Sequence, residues 1–170
     1  GVTVADYDND GDPDFYLTTL NENKLFRNDD STFTEVGAAA GVAGEGEWSS
    51  SAVFFDANRD GHLDLYVGNY VEWSPENDYF CSLDGETKDY CTPEDYEGVS
   101  GRFYRNEGDG TFTNIEAGLP SFFEGRLAWG DYDADGDLDL VLAGDSDDRG
   151  RITRIYRNEG NGSFTAIDAG

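Results

Sequence analysis

The chain has 170 residues, of which 37% are hydrophobic and 14% aromatic, so it is long enough to bury one sizeable core. Its 37 acidic and 11 basic residues give a formal net charge of −26, which argues against nucleic acid or an anionic membrane as partner, because both require a basic surface. The sequence contains no run of about 18 apolar residues, so no membrane insertion is predicted.

An acidic loop follows the strand-like opening Val2-Thr-Val-Ala, and the same loop pattern occurs three times in the chain. The copies are Asp6-Tyr-Asp8-Asn-Asp10-Gly11-Asp-Pro-Asp14, Asp56-Ala-Asn58-Arg-Asp60-Gly61-His-Leu-Asp64 and Asp131-Tyr-Asp133-Ala-Asp135-Gly136-Asp-Leu-Asp139. Oxygen ligands at positions 1, 3, 5 and 9, with glycine at position 6, suit a hard cation that takes about six to eight oxygens. We therefore predict about three Ca²⁺ sites, each completed by the carbonyl at position 7, from Asp12, His62 or Asp137.

The loop is not an EF-hand, because position 12 is leucine or valine where an EF-hand carries a bidentate glutamate. The residues after each loop are strand-like, so each loop is predicted to connect two strands. A solvated acidic turn would explain a single copy, but three copies in equivalent contexts favour metal sites.

The second loop is expected to bind calcium least tightly, since Asn58 replaces a carboxylate and Arg59 and His62 add positive charge.

A strand, a tight turn and a second strand are predicted after each loop, at residues 25–36, 103–115 and 155–167. Asp109-Gly110 and Asn161-Gly162 supply turn residues that tolerate positive φ, whereas the first turn is one residue shorter and has no glycine. Each repeat thus predicts four strands. Four-stranded antiparallel sheets at a period of roughly 45 to 50 residues are typical of propeller blades.

The predicted fold is all-β, with one repeat domain over residues 1–170 and blades at about 1–41, 42–118 and 119–170. The second blade carries an insert at about 70–101. Because about four blades are the lower limit for a closed ring, three repeats predict a partial propeller, completed by a longer chain or by other subunits. Exposed apolar blade faces would favour such association. Since the chain lacks methionine and opens on a strand, we expect a mature product or an excised segment.

The insert holds both cysteines, Cys81 and Cys91. A disulfide between them is favoured over zinc, which would need two further ligands in a chain with one histidine. The aromatic residues of the insert either pack the disulfide-closed loop, which is the simpler interpretation, or present a stacking surface for a sugar or a protein. The candidate ligand-binding residues are Trp73, Tyr79, Tyr90 and Tyr96.

The combination of Asp-x-Asp-x-Asp-Gly-x-x-Asp with a later Tyr-Arg-Asn-x-Gly-x-Gly-x-Phe resembles the FG-GAP and VCBS repeats of integrin α-chain propellers and of many secreted bacterial proteins. The insert is similar to that of bacterial relatives of cartilage acidic protein, in its Gly68-Asn-Tyr-Val-Glu-Trp73, Cys81, Tyr90-Cys91-Thr-Pro93 and Phe103-Tyr-Arg-Asn106. The resemblance implies that the three loops bind calcium within blades and that the cysteines pair. It carries over no catalytic residue.

The sequence therefore predicts a calcium-stabilised propeller module that is extracellular or secreted, including the periplasm or cell surface. We expect it to act in binding, adhesion or assembly without enzymatic activity, with a protein, a glycan or further copies of itself as partner. His62 is the only histidine and lies in a metal loop, so a histidine-based catalytic triad is not expected. Two alternatives stay open, a structural subunit of an extracellular polymer or filament and a part of a carbohydrate-active enzyme.

Overall fold

Three four-stranded antiparallel sheets form the fold in a computed structural model that describes residues 1–120, 123–146, 150–161 and 163–167. Within each sheet the strands lie side by side in chain order, so every strand pairs with the next one along the chain. This arrangement confirms the predicted all-β fold with propeller-type blades. Over the same residues, no helix reaches the length and apolar character that a membrane span requires.

The first sheet is built from short strands joined by tight connections. Its strands are β1 Val2–Ala5, β2 Asp14–Leu17, β3 Lys24–Asp29 and β4 Thr32–Glu35. The turn between β3 and β4 consists of Asp30 and Ser31, whose φ angles of 50° and 70° give a two-residue hairpin turn without glycine. A short helix, α1, spans Gly37–Ala40 and leads out of the blade.

The second and third sheets repeat this pattern. The second sheet consists of β5 Ser49–Phe55, β6 Asp64–Asn69, β7 Arg102–Asn106 and β8 Phe112–Asn114. The third consists of β9 Phe123–Gly130, β10 Asp139–Ser146, β11 Gly150–Asn158 and β12 Phe164–Ile167. The insert lies between β6 and β7 and contains a 3₁₀ helix at Pro93–Asp95. Of the predicted Asn161-Gly162 turn, Gly162 lies outside the described residues.

The core lies between neighbouring sheets, because each strand turns alternate side chains to its two faces. Between the first and second sheets, Tyr7, Tyr16 and Leu25 pack with Tyr104 and Phe112. A second core forms in the same way between the second and third sheets and includes Tyr66, Phe103, Leu140, Leu142 and Tyr156. The blades are therefore joined by apolar layers that are equivalent from one pair to the next.

Among the described residues, the outer faces of the first and third sheets have no neighbouring blade, so repeat positions that are covered at the joints are exposed there. Phe33 on the first sheet is 51% exposed, whereas its counterpart Phe112 on the second sheet is 7% exposed. Tyr132 beside the third sheet is 50% exposed, whereas its counterpart Tyr7 is 2% exposed. We call these surfaces the leading end face, with Val2, Val4 and Phe33, and the trailing end face, with Tyr132 and Val141.

Candidate metal centres

Each acidic loop lies between the first and second strands of its sheet, where the sequence analysis placed it. The position-6 glycines have φ angles of 96°, 88° and 110°, a region that other residues rarely adopt. Asp6 at position 1 accepts hydrogen bonds from the backbone N–H groups of Asp10 and Gly11 at 3.1 and 3.0 Å. Asp56 accepts the equivalent pair in the second loop. These bonds curl the loop and turn its alternate side chains toward one centre.

The first and third loops each bring three carboxylates together. The ligand oxygens of Asp6, Asp8 and Asp10 all lie within 4.8 Å of one another, and those of Asp131, Asp133 and Asp139 do the same.

One oxygen in each of these two clusters is buried without a hydrogen-bond partner, Oδ1 of Asp8 and Oδ1 of Asp131. Burial raises the pKa of Asp8, and the neighbouring Asp10 carboxylate raises it further. Buried polar atoms without a partner are costly, and a hard divalent cation is the partner that such a set of oxygens prefers. The residues of the first and third loops therefore fit a calcium ion.

The second loop is partly satisfied by its own side chains. Asn58 at position 3 donates from Nδ2 to Oδ2 of Asp60 at 2.9 Å, a bond that an aspartate could not make. Within the described residues, this loop does not bring three acidic side chains into a cluster like those of its neighbours. The Asn58 amide thus occupies a carboxylate oxygen of Asp60 that would otherwise be available to a metal ion.

The position-9 aspartates have a structural role that the sequence analysis missed. Oδ2 of Asp64 accepts from the N–H of Ala57 at 3.1 Å, and Oδ1 accepts from the N–H of Asn106 at 2.8 Å. Asp14 and Asp139 make the same two bonds in their blades, and all three side chains are buried. Burial raises the pKa of Asp64 to about 6. Each of these carboxylates ties its loop to the third strand.

The position-7 side chains lie against the hairpin turn of their own blade. Oδ2 of Asp12 accepts from the N–H of Asp30 at 2.7 Å. The ring of His62 lies over Gly108, where an added Cβ would stand 2.7 Å from Nε2. Asp137 lies against Gly160 in the same manner. Since only the backbone carbonyl of these residues is assigned to the metal, the side-chain contacts are compatible with that prediction.

An asparagine in the third strand links each later blade to the loop of the blade before it. Asn106 donates from Nδ2 to the carbonyl oxygens of Tyr7 at 2.9 Å and Leu63 at 3.0 Å. Asn158 repeats this link with Ala57 and Leu138 at 3.3 and 3.2 Å. The only sequence signal for these bonds is that Arg-Asn recurs in every hairpin.

The position-4 residues connect one loop directly to the next. Asn9 donates from Nδ2 to the carbonyl oxygen of Gly61 at 3.1 Å. Arg59 donates from Nη2 to Oδ2 of Asp131 at 2.9 Å. The three loops therefore form a continuous row along one edge of the blades.

The insert is organised around a disulfide and one carboxylate. Cys81 and Cys91 are bonded, as the sequence predicts. Asp78 accepts hydrogen bonds from Trp73 Nε1 and the Tyr96 hydroxyl, both at 3.0 Å, and from the Lys88 ammonium. The hydrogen bond from Lys88, followed by those from Trp73 and Tyr96, lowers the pKa of Asp78 to about 2.

A cleft of about 680 Å³ opens between the insert and the second blade. Of the four predicted ligand-binding residues, Trp73, Tyr90 and Tyr96 line it, whereas Tyr79 is outside the lining and stacks on Tyr96 at 4.9 Å. Two further aromatic residues line the cleft: Tyr70, which belongs to the aromatic residues of the insert, and Trp48, which the sequence analysis did not assign to this surface. Trp48 lies far from the insert in the chain, so sequence proximity gives no signal for it.

Comparison with known proteins supports the repeat. The family profile of the FG-GAP-like repeat matches residues 4–67 and 78–142. Curated proteins give no match. Among solved structures, the chain is similar to a lectin from Agrocybe aegerita that is described as specifically recognising non-reducing terminal N-acetylglucosamine, with a TM-score of 0.52 and 17% identity. The similarity covers 98% of this chain but 37% of the lectin chain. The resemblance of the insert to bacterial relatives of cartilage acidic protein stays a prediction.

Proposed function

The chain belongs to the FG-GAP-like repeat family, and from this premise we propose that it is a calcium-stabilised, non-catalytic binding module of an extracellular propeller. The observation that carries the proposal is the pair of buried, unpartnered oxygens, Oδ1 of Asp8 and Oδ1 of Asp131, in equivalent acidic loops. Bound calcium would offset the mutual repulsion of the loop carboxylates. Asp6, Asp8 and Asp10 would hold one ion, and Asp131, Asp133 and Asp139 another.

Stabilisation is the expected role of these ions because the loops sit at the joints between blades. The carbonyl of Tyr7, at position 2 of the first loop, is bonded to Asn106 of the second blade. The carbonyl of Ala57 in the second loop is bonded to Asn158 of the third blade. A cation that fixes a loop thus also fixes the groups that hold the next blade.

The melting temperature in excess calcium and in excess EGTA tests this proposal. A ligand at about 100 times its dissociation constant adds about 2.7 kcal/mol per site, which for a domain of this size raises the melting temperature by roughly 5 °C or more. The double variant Asp6→Ala, Asp131→Ala should lose most of that rise. An equal melting temperature in both buffers, together with no heat of calcium binding by calorimetry, would refute the role of calcium.

Two further observations support the extracellular and non-catalytic parts of the proposal. The Cys81–Cys91 disulfide suits an oxidising compartment. The single histidine, His62, is engaged at the contact between two loops, where Nδ1 lies 3.4 Å from Nδ2 of Asn9. This contact is that of a packing residue, which supports a module without histidine-based catalysis.

The end faces favour a second candidate function, a subunit whose copies assemble through their blades. Phe33 and Tyr132 are about half exposed, whereas Phe112 and Tyr7, at the same repeat positions beside a neighbouring blade, are buried. Exposed apolar positions of this kind mark interaction surfaces. Light scattering of the purified chain with calcium separates the two candidates, since a mass that stays at one chain over a hundredfold concentration range would exclude assembly of copies.

A further inference from the structure

The aromatic cleft of the insert has the size of a small-molecule site. Its volume of about 680 Å³ falls within the roughly 300–1,000 Å³ that is usual for ligand pockets. It is lined by five aromatic rings, those of Trp48, Tyr70, Trp73, Tyr90 and Tyr96. The insert is also the part of the chain that interrupts the blade repeat, so blade formation alone does not require its rings.

The rings of the cleft stand at different angles to one another. Trp48 is nearly perpendicular to Tyr70, with an interplanar angle of 83° and ring centroids 5.3 Å apart. Trp48 and Trp73 are inclined at 52° with centroids 5.2 Å apart. The negative face of such a ring attracts the weakly positive C–H groups on the flat side of a pyranose. Differently inclined rings can contact two sides of one sugar.

Polar contacts fix the lining before any ligand binds. Trp73 and Tyr96 are both held by Asp78, and Tyr79 stacks on the outer face of Tyr96 at an interplanar angle of 12°. The Cys81–Cys91 disulfide closes the same segment. A preorganised lining of this kind reduces the ordering cost of binding.

The charges around the cleft select among ligand classes. The net charge of −26 disfavours acidic glycans, which would be repelled by the protein as a whole. The ammonium of Lys88 and the carboxylate of Asp78 lie in the lining and pair with each other, so neither presents an unpaired charge to an ionic ligand. The Asp89 carboxylate and the hydroxyls of Tyr70 and Tyr90 are groups that can bond to sugar hydroxyls.

From these contacts we propose that the aromatic cleft of the insert binds a short neutral saccharide, stacked on Trp48 and Trp73 and covered by Tyr90. This inference rests on the proposed role of the chain as a binding module and names the ligand class and the site. Tyr90 is 96% exposed, so its ring is free to pack against a bound sugar.

Tryptophan fluorescence of the calcium-loaded chain, titrated with neutral trisaccharides, tests the inference. The probes are cellotriose, maltotriose, xylotriose and the trimer of N-acetylglucosamine, with heparin and choline as charged comparisons. We expect saturable binding of at least one neutral probe and at least tenfold weaker binding of it by Tyr90→Ala. Phe80→Ala is the matched control, since Phe80 is an exposed aromatic residue of the same insert outside the cleft lining. This variant should bind the probe as tightly as the unaltered chain does.

Three results would overturn the inference: no binding of any neutral probe, equal binding by Tyr90→Ala, or a preference for choline or heparin. If both Tyr90→Ala and Phe80→Ala lose binding, the substitutions have damaged the insert. Tyr90→Phe, which keeps the ring, then decides: binding by this variant supports the inference, and no binding overturns it. Because the melting temperature in calcium is measured separately, failure here leaves the calcium-stabilised module standing. Binding that Tyr90→Ala does not weaken would place a glycan elsewhere on the module.

Discussion

Arg59 in the second acidic loop donates a hydrogen bond to Oδ2 of Asp131 in the third loop at 2.9 Å. The aspartate is the more buried partner, and its other oxygen has no hydrogen-bond partner. An arginine from one loop thus neutralises a predicted metal ligand of the next. Its charge partly compensates the carboxylate cluster when no cation is bound.

Replacing this arginine should make the chain more dependent on calcium. In EGTA, we expect Arg59→Ala to unfold at a lower temperature, because the ion pair contributes roughly 0.2–1 kcal/mol. In calcium the difference should shrink, since the cation supplies the positive charge. Calorimetric melting in both buffers measures the two effects. Arg105→Ala is the control, because Arg105 pairs with Glu107 outside the loops and its loss should lower both melting temperatures equally. The same calcium-induced rise in Arg59→Ala and in the unaltered chain would contradict the prediction.

The three loops should differ in calcium affinity. We expect Asp56→Ala to remove the weakest site, because Asn58 already bonds to Asp60 and replaces a carboxylate. Asp6→Ala and Asp131→Ala should each remove a tighter site. Calorimetric titration of the three variants gives the ranking directly. If the second loop binds calcium most tightly, the number of carboxylates in a loop does not determine its calcium affinity.

The asparagine link between blades should contribute more to stability than its counterpart within a blade. Asn106→Ala leaves the buried carbonyl of Tyr7 and the partly buried carbonyl of Leu63 without this donor and should lower the free energy of unfolding by about 1–3 kcal/mol. Asn28 is the comparison in the first blade, because among the described residues its amide donates to the carbonyl of Pro13 in its own blade and not to another blade. Urea denaturation compares the two, and an equal loss in both variants would show that the link to the preceding blade adds nothing.

The insert should resist acid until Asp78 is protonated. Because the pKa of Asp78 in the folded chain, about 2, is below its usual value of 3.8, the stabilisation is complete above about pH 4 and is lost as the pH falls through 2. The indole N–H resonance of Trp73 should therefore keep its shift to about pH 3 and move below it. In Asp78→Asn the titrating group is gone. A transition near pH 4 in the unaltered chain would mean that the three donors do not hold the carboxylate ionised.

Features with a regular period could be predicted from the sequence, and contacts between sheets could not. From the repeated loops, the strand alternation and the two cysteines of the insert, we could predict the blades, the positions of the loops and the disulfide. The second role of Asp64 was missed because a carboxylate in a metal motif already had an explanation. Trp48 was missed because its approach to Trp73 depends on how the insert folds back over the second blade. Calcium binding stays a prediction, which the geometry of the first and third loops fits.

The matched tyrosines Tyr7 and Tyr132 give the series of blades a direction. Every joint places the trailing side of one blade on the leading side of the next, so identical sides never meet and each added blade repeats the same heterologous contact. An open row has one joint fewer than it has blades, whereas a ring has as many joints as blades. Closing the row therefore adds the contacts of one more joint without the entropic cost of ordering another blade. The free energy of unfolding should thus rise evenly with blade number in open rows and then rise abruptly when the ring closes.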